Sequence, residues 1–125
     1  MQDEKRFHPR FDTIGRVEAE EICAFPGTLQ NISASGCKIR FPIHVSVDLD
    51  KEYELKIMFS QNKTTKEMLL IGQPVYQLGQ ETSELGFKFL RSPGTRMLDS
   101  FIQSCKSLDN FDYIEKDSYE IEQDL

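Results

Sequence analysis

The 125-residue chain provides one domain and leaves little room for a second. Its 38% hydrophobic and 29% charged residues exclude a disordered or membrane-embedded composition, and a chain of this length folds without disulfides or metal because it buries roughly two thirds of its unfolded surface. The net charge of −6 weighs against a long polyanion, but Asp109–Leu125 holds seven acids and one base, so residues 1–108 are neutral, with 14 of each sign.

After a charged arm at 1–10 the chain reads as short strands. Residues 13–19 form a first, weakly patterned one, closed by the turn signal Pro26-Gly27. Thr28–Ser33 is a second, running into the polar group Asn31-Ile32-Ser33-Ala34-Ser35-Gly36. Cys37, Ile39 and Phe41 alternate with Lys38 and Arg40, the period of a half-buried strand, and Pro42 limits it. Val45, Val47 and Leu49 fit a very short strand or a loop packed at its apolar positions. Tyr53, Leu55, Ile57 and Phe59 give the clearest strand, and residues 60–66 a hairpin loop. Residues 67–78 form an apolar strand in which Gly72 and Pro74 predict a bulge, an edge or a break. Leu85, Phe87 and Phe89 mark the last strand.

The period then changes. Ser92 is suited to cap a helix with Pro93 at its first position, and Met97, Leu98, Phe101, Ile102 and Cys105 form one apolar stripe on a helix of about 15 residues. Five to seven antiparallel strands covered by one helix predict a small barrel. The acidic segment also carries Phe111, Tyr113, Ile114, Tyr119, Ile121 and Leu125. It is either a frayed tail or an element that folds back on the barrel or on a partner.

Cys23, Cys37 and Cys105 are odd in number and far apart, which weighs against a disulfide scaffold or structural zinc. The start of the chain lacks the apolar run of a secretory signal, and no stretch approaches a transmembrane length, so the expected location is cytoplasmic.

Two features carry chemistry. Lys5-Arg6-Phe7-His8-Pro9-Arg10 sets two guanidiniums four residues apart in a segment that Pro9 keeps from being helical. A guanidinium grips phosphate, reads guanine through O6 and N7, and stacks on a base, so the pair can clamp a ligand both anionic and aromatic. Taken alone, the segment reads first as a solvated charged arm. The second feature is Asn31-Ile32-Ser33-Ala34-Ser35-Gly36. Its Asn and Ser can tie off a tight connection, and Gly36 can supply a special backbone angle or permit a close approach. The same amide and hydroxyls offer donors and acceptors to a base edge or a phosphate.

In order, RxxxR (Arg6, Arg10), NxSxxG (Asn31, Ser33, Gly36), strands ending in Glu84–Leu90 and a helix resemble the PilZ domain family over about residues 5–107. The resemblance implies a six-stranded antiparallel β-barrel with a C-terminal α-helix, an all-β domain that binds the bacterial second messenger cyclic di-GMP without converting it. It implies an N-terminal ligand-binding arm at 1–10 and a barrel plus helix at 11–107; the acidic segment at 108–125 has no counterpart in the minimal domain. By the same resemblance Arg6 and Arg10 contact guanines and phosphates, Asn31, Ser33 and Gly36 form the opposing wall, and Lys5 occupies a position that influences whether one or two messenger molecules bind. No cofactor is implied. The implied partners are cyclic di-GMP and a downstream effector protein, in processes such as motility, biofilm or virulence control.

Three other function classes compete with this reading. An enzyme lacks support: His8 and His44 belong to no Ser/His/Asp or metal spacing, and Cys37 and Cys105 fall at apolar positions. A nucleic-acid module would carry a dense basic stripe. A protein-interaction adaptor, using the barrel and the acidic segment, is the alternative reading.

Overall fold

Alternating apolar side chains fill the inside of a closed sheet. The computed structural model describes residues 11–61 and 63–116. Its strands are β1 (Phe11–Glu18), β2 (Gly27–Ile32), β3 (Gly36–Phe41), β4 (Tyr53–Gln61), β5 (Thr64–Leu78) and β6 (Ser83–Leu90), followed by helix α1 (Thr95–Lys116). The strands close into a six-stranded antiparallel barrel in the order β1-β2-β3-β6-β5-β4, with β4 returning to pair with β1. Val17, Leu29, Ile39, Phe41, Leu55, Ile57, Leu70 and Leu85 are essentially sealed from solvent and form the centre of the core. Their neighbours in sequence, such as Arg16, Thr28, Arg40, Glu54 and Lys56, face outward, as a period of two requires.

Two elements differ from the expectations, and at Val45–Leu49 the structure selects the loop of the two alternatives. The hairpin expected over residues 60–66 is a two-residue connection, with Gln61 already paired to Thr64. Lys63 adopts a φ of 63°, the left-handed twist that lets strands reverse in so short a turn. The Val45–Leu49 segment is a loop, because its backbone groups are claimed by side chains rather than by a strand. Val45 N–H donates to Ser83 Oγ at 2.9 Å, Asp48 N–H to the Tyr53 hydroxyl at 3.0 Å, and the Gln77 and Gln73 amides donate to the Val45 and Leu49 carbonyls at 2.6 and 3.0 Å.

The helix also starts later than expected. Its first intrahelical bond runs from Leu98 N–H to the Gly94 carbonyl at 2.9 Å, so Gly94 holds the cap position and Ser92 and Pro93 precede the helix. Ser92 is drawn instead into the barrel rim, where its hydroxyl accepts from Ile71 N–H at 2.9 Å and donates to the Leu90 carbonyl. At 22 residues α1 is longer than the stripe indicated and continues into the acidic segment. The bulge anticipated around Pro74 is present: the β5–β6 register shifts between Pro74 and Tyr76.

Leu98, Phe101 and Ile102 are the helix residues that seal the barrel, whereas Met97, on the edge of the stripe, is exposed. Phe101 meets Phe59 edge to face, with ring centroids 4.8 Å apart and planes at 64°. Phe101→Ala removes this pair and leaves a void between helix and barrel. The expected loss is about 3–5 kcal/mol in unfolding free energy, measured by chemical denaturation.

A candidate anion site where the first strand meets the β2–β3 turn

β2 reaches β3 through a connection only three residues long, Ser33-Ala34-Ser35, which Ser33 organises. Ser33 N–H donates to the Gly36 carbonyl at 2.8 Å, and the Ser33 hydroxyl accepts from the Ser35 and Gly36 N–H groups at 3.1 and 3.2 Å. It also lies 3.3 Å from both the Gly36 carbonyl and Ser35 Oγ. With 1% exposure, the Ser33 hydroxyl lies inside the turn and shapes it. The exposed serine is Ser35, a member of the polar group outside the NxSxxG positions.

Gly36 is needed for a different reason. A Cβ built there would lie 2.2 Å from the Phe87 carbonyl oxygen, a backbone atom of the paired strand β6. Of the two roles open to this glycine, the structure selects close approach. The Ser35 carbonyl then accepts from Phe89 N–H at 2.8 Å, which fastens the turn to β6.

Register carries the turn's surroundings across the sheet. Asp12 pairs with Asn31, Asn31 with Lys38, Lys38 with Gly86 and Gly86 with Tyr76, a row that crosses β1, β2, β3, β6 and β5. Paired residues share a face, so half-buried Asn31 stands beside outward Lys38. Arg40 lies one step along the same face, opposite Glu84. The Glu84 carboxylate takes Lys38 Nζ at 3.8 Å and Arg40 Nη2 at 3.6 Å, and it accepts from the Tyr76 hydroxyl at 3.3 Å. Within this cluster two cations share one carboxylate. Lys38, Arg40, Glu84 and Tyr76 did not figure among the sequence candidates. Alternation in β3 and β6 puts the first three outside, but nothing local says that β3 and β6 are neighbours.

Lys5, Arg6 and Arg10 lie outside the described residues. Covalent continuity alone limits them: Arg10 is bonded to Phe11, and Phe11 pairs with Ile32, the residue before Ser33. The RxxxR segment therefore joins the barrel at the NxSxxG turn, and the Arg6 Cα is held within about 18 Å of that of Phe11.

A groove of about 640 Å³ lies elsewhere, lined by Gly15, Arg16, Pro26, Gly27, Thr28, Met58, Phe59, Ser60 and Thr65. Its one charged group, Arg16, is paired with Glu18 at 3.1 Å. Its lining includes no residue of the Asn31–Gly36 turn. Among the described residues no group of His, Cys, Asp or Glu is placed to hold a metal ion, and no helix is long and apolar enough to cross a membrane.

Comparison with known proteins agrees with this architecture. Residues 4–104 match the PilZ domain, which is most of the chain, and the protein belongs to that family. Among solved structures, the inhibitor of motility from Bacillus subtilis (MotI/DgrA) has the same fold, with a TM-score of 0.69 at 16% identity over 84% of this chain. The chain spans about half of that structure, 51% of its length. No curated protein matches.

The turn chemistry predicts two distinct responses. Ser33→Ala strips the acceptor from two backbone N–H groups and should cost about 1–3 kcal/mol in denaturant unfolding. Gly36→Ala forces β3 away from β6, with a similar expected cost of about 1–3 kcal/mol and a local loss of amide protection at Phe89 and Lys88 in hydrogen exchange.

Proposed function

We propose that the protein is a receptor for cyclic di-GMP that binds the messenger without chemical conversion and passes the signal on through its N-terminal arm. The observation that carries this reading is the pairing of Phe11 with Ile32, which brings the chain leaving Arg10 to the edge of the Asn31–Gly36 turn. Phe11 and the start of the turn, far apart in sequence, are thereby neighbours at one end of the barrel wall. Family membership supports the ligand class.

In this reading Arg6 and Arg10 grip guanine and phosphate, and Lys5 adds attraction for phosphate. Asn31 supplies hydrogen bonds from the sheet side. Ser33 contributes by fixing the turn that presents Asn31 and Ser35, and Gly36 by letting that turn sit low on β6. A ligand with two phosphates and two guanines offers enough contacts for micromolar affinity, about 8 kcal/mol, after the cost of ordering the arm. That ordering is the switch: an arm fixed over the barrel covers or exposes a surface that an effector protein reads.

The adaptor reading draws on exposed apolar side chains on and beside β5, Ile43, Leu49, Val75 and Leu78, which suit a protein partner. Calorimetric titration of the full chain with cyclic di-GMP, cyclic di-AMP and GTP separates the two. The receptor reading expects saturable binding of cyclic di-GMP with a defined stoichiometry and weaker binding of the other two. Arg10→Ala should abolish that binding, and Arg6→Ala should abolish it or weaken it by about two orders of magnitude, with the barrel still folded by circular dichroism. Wild-type affinity in both variants would remove the arm from the site, and no binding by the parent protein would favour the adaptor.

A further inference from the structure

The patch on β3, β6 and β5 is built more elaborately than a barrel wall requires. Glu84 gathers three donors from two other strands: Lys38 and Arg40 from β3 and the Tyr76 hydroxyl from β5. Partly exposed ion pairs of this length add little to folding. The Tyr76 ring lies against Gly86, where a Cβ would stand 2.1 Å from a ring carbon, so a flat half-buried ring replaces a side chain. The ring and its bond to Glu84 restrict the carboxylate, and the carboxylate restricts the two cations. Long basic side chains lose much freedom when they grip an anion, and a pre-aimed pair loses less.

The patch is continuous with the turn. Asn31, Lys38, Gly86 and Tyr76 are consecutive in register across four strands, a span of about 14 Å at ordinary strand spacing. That is the scale of a dinucleotide lying across the sheet. A ligand with one end beside Ile32 has its other end over β3 and β6.

We propose that Lys38 and Arg40 form a second anion contact for the same dinucleotide, and that Glu84, tied by Tyr76, is the positioning residue that aims them. Lys38, beside Asn31, meets a phosphate as a point charge. Arg40 offers a planar fork to the other phosphate or to a guanine edge. Glu84 engages both while leaving them partly exposed, and keeps the patch from attracting any anion indiscriminately. The inference rests on the receptor reading and deepens it.

The test is titration of the full chain with cyclic di-GMP and GTP at low and high salt. Lys38→Met should weaken cyclic di-GMP binding about ten- to a hundredfold, the loss of one charge-assisted contact, and flatten its salt dependence. Lys38→Arg should recover most of the affinity. Glu84→Gln, which keeps an acceptor for Tyr76 but frees both cations, should raise GTP binding relative to cyclic di-GMP and steepen the salt dependence of both. A purely structural Glu84 would leave that ratio unchanged. Lys38→Gln serves as a second variant should Lys38→Met unfold. If the parent protein binds cyclic di-GMP and Arg10→Ala abolishes it while the Lys38 variants keep the parent affinity and salt dependence, the second contact is overturned and the receptor reading stands. An unchanged ratio in Glu84→Gln overturns the positioning role, and a parent protein that binds no cyclic di-GMP overturns both readings.

Discussion

The approach of β3 to β6 at Gly36 is the constraint on which the rest of the structure depends. The strand pairs in chain order, β1 with β2, β2 with β3, β4 with β5 and β5 with β6, are all made by neighbours in sequence. Closure needs two pairings that are not, β1 with β4 and β3 with β6. At the second seam Gly36 faces Lys88 with no room for a Cβ against the Phe87 carbonyl. This seam fixes the height of the β2–β3 turn and sets the cations of β3 beside the carboxylate of β6. The Ser35 carbonyl closes the arrangement by taking Phe89 N–H.

Stability and recognition are divided between the two faces of the same wall. Cys37, Ile39 and Phe41 point inward and are sealed, and the free energy of burial lies with them and their partners Leu85 and Phe87. The outward set, Lys38, Arg40, Glu84 and Tyr76, contributes little to burial and is held by electrostatics and one hydroxyl. A period of two makes the division possible: substitutions outside leave the core intact, and a register slip of one residue would destroy both at once. The helix stands apart from this. Phe101 against Phe59 plugs the barrel with no part in the charged patch.

Strand identity was largely legible because burial on one face leaves alternation in the chain. Tyr53–Phe59 and Cys37–Phe41 show it, and both are strands in the structure. The elements that local pattern left open or misassigned share a cause. Val45–Leu49 alternates, yet Ser83, Gln73, Gln77 and Tyr53, all distant in sequence or beyond the loop, take its backbone groups. Ser92 looks like a helix cap, yet Ile71 and Leu90 claim its hydroxyl. Local chemistry offered a partner in each case, and tertiary packing supplied another. In the candidate site, Asn31, Ser33 and Gly36 were visible as a motif, but the buried position of the Ser33 hydroxyl was not. A hydroxyl that builds a turn and one that faces a ligand are the same letter.

The sequence by itself determined the alternation that makes a barrel, the apolar stripe that covers it, the paired arginines and the polar turn. It also showed that the whole negative charge belongs to the last 17 residues, leaving the preceding part neutral. The tertiary structure decided what lies next to what. Phe11 falls beside Ile32, and Glu84 reaches Lys38 and Arg40 from 44 or more residues away because β3 and β6 share a seam. Periodicity records which face a residue occupies. It carries no record of which distant strand completes that face, because strand pairing is made by backbone groups that every residue except proline possesses alike.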